Sequence, residues 1–444
     1  MTSIDNSPRN PDSSAEKLRL PELLAMGVGG MIGGGIFSVL GMAVDTSGHA
    51  APLAFFIGSL VALAAGYSYV KLALGFRDDG ASFTYLERAF PTHPNVAGVV
   101  GWTVVVGYIG TLALYAFTFG AYGAHLLGGS DSQAMRMALS TGVLVCFMAI
   151  NLRGVQTSGW TEDAIVLTKV ILLGIFAIAG LFSIQQDHLF PVFEKGVSSV
   201  FVAGATIFVA FEGFQLIANA VQEMERPEQN VPRGVFGSII ITSLIYFGVA
   251  LVAIGNLSPE RLVAAEEYAL AEAARPALGN LGTILVDIAA LLATSSAINA
   301  TLFGASRMMA EMATQHRMPP AFSIRNRTSV PVVAVIAMTV LASAFTILGG
   351  LDTIATFSSL TFLMVSIAVS IANLKLRRVT HSRIGLVLLG IGLMATTVIL
   401  LLQHLWQENR ETFLWTGGFF LAILLAEFLF CQRECQSHPE TPDG

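Results

Sequence analysis

Two ionisable side chains stand where the chain is otherwise apolar. Lys169 lies in TEDAIVLTKVILLGIFAIAGLF, well inside the run, and Glu212 lies in FVAGATIFVAFEGFQLIANAV beside Gly213 and Gln215. An ionisable group at membrane depth is expensive and by default marks a pathway, a proton relay or a counter-ion. A lysine there is a group that takes up and releases a proton during a cycle, or else a structural cation held permanently by carbonyls. Glu212 has three functional readings: a proton acceptor, a partner of Lys169, or a partner of a cationic substrate side chain. Its bland reading is a protonated, merely hydrogen-bonded acid.

The backbone carries a second signal. Gly27, Gly29, Gly30, Gly33, Gly34 and Gly35 crowd one stretch of the first apolar run. Each glycine costs a helix about 1 kcal/mol relative to alanine. A bilayer has no water for freed amides and carbonyls, so irregular backbone survives only where protein or a ligand satisfies it. An interrupted helix is expected, and Gly213 beside Glu212 suggests a second. Two discontinuous helices at corresponding places in two halves point to a small-molecule site at the midplane. Carbonyls freed at Gly29 and Ile32, with the hydroxyls of Ser295 and Ser296, are candidate oxygens for the Lys169 ammonium. The alternative use of glycine, close packing between helices, suits Gly98, Gly101, Gly107 and Gly110 better.

The elements that position these groups follow from composition. Of 444 residues, 54% are hydrophobic and 12% charged, against about 25% charged in soluble domains. This is an all-α, polytopic membrane protein. Apolar runs long enough for a hydrocarbon core of about 30 Å are read at 23–44, 52–74, 96–127, 135–151, 162–184, 200–221, 234–256, 281–310, 331–349, 353–374, 383–403 and 412–431. Most of the 24 lysines and arginines fall on the side of the N-terminal tail, which places both termini in the cytosol of a cell-membrane protein. Residues 1–20 read as a disordered tail, 21–190 as a first five-helix repeat, 191–378 as a second, inverted one, 379–432 as two further helices and 433–444 as a tail. No cleavable leader is read at the N-terminus. The outer stretch SPERLVAAEEYALAEAAR reads as a short surface helix with Ser258 at its cap and Pro259 first in it. Cys146 reads as a small apolar residue of a span. Cys431, Cys435 and His438 lack a familiar zinc spacing, so no metal site is expected.

At MIGGGIF (31–37), FEGFQ (211–215), EMERPEQNVPRG (223–234) and SRMMAEMATQHRMPPAF (306–322) the chain resembles the amino acid, polyamine and organocation transporter superfamily, with its LeuT-type fold. GYSYVKLA (66–73), LTKVILLGIFAIAGL (167–181), AIGNLSPERL (253–262) and SSAINATLFGA (295–305) are similar to the prokaryotic ApcT-type proton-coupled amino-acid transporters. The resemblance implies twelve spans in a 5+5 inverted repeat plus two. It implies that the amides of Gly34 and Gly35 hold the substrate carboxylate, which suits a helix N-terminus. It places the substrate amine at carbonyls of Met31, Val209, Ala210 and Glu212, so that the implied substrate residues are Met31, Gly33, Gly34, Gly35, Phe208, Val209, Ala210, Phe211 and Glu212. Lys169, with Gly29, Ile32, Ser295 and Ser296, then takes the place of a sodium ion. Glu212 and Gln215 depart from the family pattern and leave side-chain preference open.

The expected function is import of amino acids by proton symport through alternating access, spans one, two, six and seven rocking against three, four, eight and nine. The proton is the coupling ion, and neither sodium, a metal nor a cofactor is expected. Partners are small-molecule amino acids and the lipid bilayer, without nucleic acid, in a monomer or weak homodimer. An exchanger of the same fold is the alternative. A channel or membrane enzyme would need a polar lining or a nucleophile cluster that the residues do not supply.

Overall fold

The computed structural model describes residues 17–77, 81–154 and 159–437. Helix α1 (Leu20–Met31) starts where the Arg19 amide donates to Glu22 Oε2 at 2.5 Å, with Pro21 in its first turn, a start that satisfies an orphan donor and wastes none. It stops at a turn over residues 32–34, and α2 (Gly35–Ser47) resumes the course. The glycine run is therefore longer than the break. Gly27, Gly29 and Gly30 remain helical, and a side chain on any of them would meet a neighbouring element: Ile217 and Ser238 at Gly27, Val166 at Gly29, Gly213 and Leu216 at Gly30.

Helices α3 (Ala51–Phe76), α4 (Ala81–Ala89), α5 (Pro94–Leu126), α6 (Gln133–Leu152) and α7 (Gly159–Leu181) follow. Helix α8 (Val197–Thr206) tightens into a 3-10 turn over Ile207–Phe211, breaks, and resumes as α9 (Phe214–Asn219). Then come α10 (Pro227–Asn256), α11 (Pro259–Ala264), α12 (Ala269–Thr314), α13 (Val332–Leu348), α14 (Leu351–Lys375), α15 (Arg377–Thr380), α16 (Ile384–Glu408) and α17 (Arg410–Ser437). Among the described residues, eight helical stretches are long and apolar enough to cross a membrane, and the chain is a multi-pass membrane protein. The runs read at 23–44 and 200–221 are not continuous helices, and 331–349 yields a helix of 17 residues.

Two packing groups organise the bundle. Helices α1, α3, α9 and α10 pack on one another; α5 packs on α6, α12, α13 and α14; α7 lies against α1, α10 and α12. The two breaks meet backbone to backbone. Gly213 has φ 136°, and a Cβ there would stand 2.7 Å from Gly30 C and Met31 N, so only glycine permits both this conformation and this approach.

Amphipathicity sets the rotation of α7. Leu167, Ile171, Ile175 and Ile178 are exposed along one face while Lys169, Leu173 and Phe176 are buried on the other, the 3.6-residue period turning apolar side chains toward lipid and the lysine inward. Cys146 is exposed on α6 rather than filling an interior gap. The stretch after α10 is also not a surface helix. Pro259, Leu262, Glu267, Ala269, Leu270, Ala271, Ala273 and Ala274 are buried, and the Glu266 carbonyl lies so close to Gly41 that a Cβ there would come within 2.5 Å of it. The chain covers α2 with this segment, then turns at Gly279 (φ 61°) into the long part of α12. At the other face, Leu18 pairs with the backbone of Glu223 and Glu225 at 2.8 and 2.9 Å, so the chain is held before the tail boundary read at residue 20. The Cys431, Cys435 and His438 side chains lie outside what the structure describes.

Candidate functional site

Helix α7 carries Lys169 to the end of α1. Its side chain is fully buried, and Nζ donates to the Gly29 carbonyl at 2.7 Å. Val166, one turn earlier on α7, closes over the same glycine. Of the oxygens considered for this ammonium, Gly29 alone is in hydrogen-bond contact. The Ile32 carbonyl, Ser295 and Ser296 make no bond to Lys169 among the described residues. Ser295 and Ser296 are half-buried on α12, and Ser296 lines a cavity described below.

The break in the first span presents amides. Gly33, Gly34 and Gly35 donate to no backbone carbonyl among the described residues, while the Gly34 carbonyl accepts from the Ser38 amide at 2.9 Å and from Ser38 Oγ at 2.5 Å. Unpaired N–H groups at the start of α2 coincide with the positive end of its dipole, the arrangement that receives a carboxylate. They are covered: Tyr115 of α5 lies against Gly33 and Gly34, and Ala210 against Gly35.

Across from them, two of the carbonyls read as amine acceptors, Met31 O and Ala210 O, are already engaged. Tyr246 of α10 donates its hydroxyl toward Met31 O at 2.6 Å and Ala210 O at 3.1 Å. Its ring packs edge-on against Phe55 and Phe211. The Val209 amide donates to Ser359 Oγ at 2.9 Å, and Ser359 donates to Thr206 O at 2.5 Å. Tyr246 and Ser359 thus bind the backbone of both broken helices in place, doing for the freed groups what water cannot do in a bilayer. Neither residue was evident from sequence; a polar atom in an apolar run, opposite a predicted break, was the available signal.

A cavity of about 430 Å³ reaches the same breaks. It is lined by Gly29, Gly30, Glu212 and Gly213 at the breaks, by Tyr108, Thr111, Tyr115 and Phe362, and by the charged residues Glu162, Arg307, Glu311 and Arg325. Met31, Gly33, Gly34, Gly35 and the Phe208–Phe211 turn are buried and do not line it. Glu212 does, from the break itself, together with Gln215 and Asn219, one turn apart on α9. Glu212 Oε1, Gln215 Nε2 and Asn219 Oδ1 are all buried without a hydrogen-bond partner in the structure. Asn219 was absent from the sequence reading, although its spacing of four from Gln215 would have found it.

Paired helix breaks beside a cavity, with a cation at the backbone of one of them, define the class of membrane transporters with discontinuous helices. Comparison with known proteins agrees: residues 18–426 match the amino acid permease family, and the chain belongs to that family, within the amino acid, polyamine and organocation superfamily. It is 31% identical to an uncharacterized protein of Methanocaldococcus jannaschii, covering 94% of this chain and 95% of that one. It is 29% identical to the inner membrane transport protein YbaT of Escherichia coli, over 92% and 95%. A methylthioribose transporter of Bacillus subtilis is 24% identical over 70% of each chain.

Proposed function

We propose that this protein imports amino acids across the cell membrane by proton symport, with Lys169 as the group that carries the proton. The observation that supports this most is the buried Lys169 Nζ on the Gly29 carbonyl at 2.7 Å, because it couples a titratable group to the backbone of the helix whose next turn bears the free amides. With the proton on, the ammonium holds α1; with it off, the carbonyl loses its charge-assisted partner and the helix is released. Protonation then favours one conformation of the carrier over the other, which is what coupling requires.

In this reading the amides of Gly33, Gly34 and Gly35 receive the substrate carboxylate once Tyr115 moves aside. Tyr246 yields Met31 O and Ala210 O to the substrate amine. The group holding α1, α3, α9 and α10 rocks against the group holding α5, α6, α12 and α13, in a twelve-span molecule with both termini cytoplasmic and two inverted five-helix repeats. Ser295, Ser296 and Ile32 join the cation cage only in another state of the cycle. An exchanger would share all these features and differ in whether the empty carrier returns.

The test is competition by each of the twenty amino acids against a labelled one in proteoliposomes holding the purified chain. Saturable uptake blocked by a subset of them supports the reading, and indifference to all of them removes it.

A further inference from the structure

Three unpartnered polar atoms on residues lining one cavity call for a ligand. We propose that the cavity selects amino acids with a cationic side chain and that Glu212 is the specificity-determining residue; this rests on the amino-acid reading above and names the substrate class for the same site.

The carboxylate is 6% exposed and Oε1 has no partner. Lys169, the buried cation of α7, is bonded to the Gly29 carbonyl and not to Glu212. The guanidinium groups lining the cavity, Arg307 and Arg325, share its wall with two further acids, Glu162 and Glu311. A buried carboxylate without a cation is costly, and a substrate ammonium or guanidinium supplies the missing charge. Asn219 Oδ1 adds a second unused acceptor in the lining of the same cavity, matching a guanidinium, which brings only donors and several of them. Tyr108 and Tyr115 line the same cavity, aromatic residues of the kind that accept such a cation. A neutral or acidic side chain would leave the Glu212 oxygen as it stands or repel it.

A separate feature points the same way. On the other side of the bundle a cavity of about 610 Å³ is lined by Asp45, Glu266, Glu267 and Asp352 against one guanidinium, Arg136. Arg136 is paired with Glu267 at 2.8 Å, and Lys195 Nζ donates to the Asp45 backbone carbonyl and stands 4.0 Å from its carboxylate. Among the described residues Glu266 and Asp352 have no ion-pair partner there, so the opposite entrance gathers cations before they reach the breaks.

The experiment measures competition by L-arginine, its neutral near-isostere L-citrulline, and L-lysine, L-norleucine and L-glutamate against a labelled amino acid, on the full chain in proteoliposomes. Arginine should outcompete citrulline, and lysine norleucine, by about tenfold or more. Glu212→Gln should bring each pair together, and Glu212→Asp should keep them apart. Size-exclusion profiles check that both variants fold, and the wild-type ratios decide the matter if they do not. Equal competition within the pairs, or a Glu212→Gln variant that keeps the wild-type ranking, overturns the proposal while leaving amino-acid transport standing. Failure of every amino acid to compete removes the amino-acid reading, and this proposal with it.

Discussion

Replacing Tyr246 by phenylalanine deletes one oxygen and leaves the ring that packs on Phe55 and Phe211 at 5.6 and 5.4 Å between centroids. No cavity forms, so any loss reports the hydroxyl. That hydroxyl reaches two carbonyls from two different helix breaks, Met31 O at 2.6 Å and Ala210 O at 3.1 Å. With Tyr246 fully buried, the stranded carbonyls have no water to turn to. A buried polar group left without its partner costs about 1–3 kcal/mol, and the shorter bond carries most of it because one O–H points at one acceptor at a time. The assay is equilibrium unfolding of the purified protein in mixed micelles with a rising fraction of SDS, comparing wild type, Tyr246→Phe and Tyr246→Ala. Phenylalanine should lose about 1–3 kcal/mol, and alanine more, since truncating a buried aromatic adds a cavity cost that brings the total to about 3–5 kcal/mol. A Tyr246→Phe variant within about 0.5 kcal/mol of wild type, the range of an ordinary surface change, would refute the idea that this hydroxyl ties the breaks together.

Other outcomes are expected with it. Lys169→Ala and Lys169→Gln should abolish accumulation driven by a proton gradient while counterflow exchange persists, read as labelled uptake with and without the gradient; accumulation at the wild-type level would remove the lysine from coupling. Gly213→Ala would put a Cβ 2.7 Å from Gly30 C and Met31 N at φ 136°; it should lower the thermal midpoint sharply, whereas Gly392→Ala, which meets nothing within 4 Å, should not. Ser359→Ala removes the bonds to the Val209 amide and the Thr206 carbonyl and should cost about 1–3 kcal/mol in the same micelle titration.

What was legible beforehand depended on residue type. Glycine and buried charge carry their own signal, so both breaks and the depth of Lys169 could be read from the chain. Yet the breaks fell over residues 32–34 and 212–213, and the helical Gly27, Gly29 and Gly30 turned out to serve close approach to α10, α7 and the second break. A glycine that frees backbone and one that admits a neighbour look alike in one sequence. Which oxygen faces Lys169 depends on how α7, α1 and α12 are rotated against each other, a tertiary matter; Gly29 meets it and Ser295 and Ser296 do not. Tyr246 and Tyr115 were missed because a tyrosine in a span is usually packing. The buried cover over α2 was missed because SPERLVAAEEYALAEAAR is polar enough to pass for surface.

The central claim is that a proton drives amino-acid entry. Proteoliposomes of the wild-type chain, more alkaline inside than outside, should accumulate labelled amino acid above its outside concentration, lose that accumulation on addition of a protonophore, and behave identically when choline replaces sodium. Accumulation that requires sodium, or that ignores the proton gradient, would contradict the account.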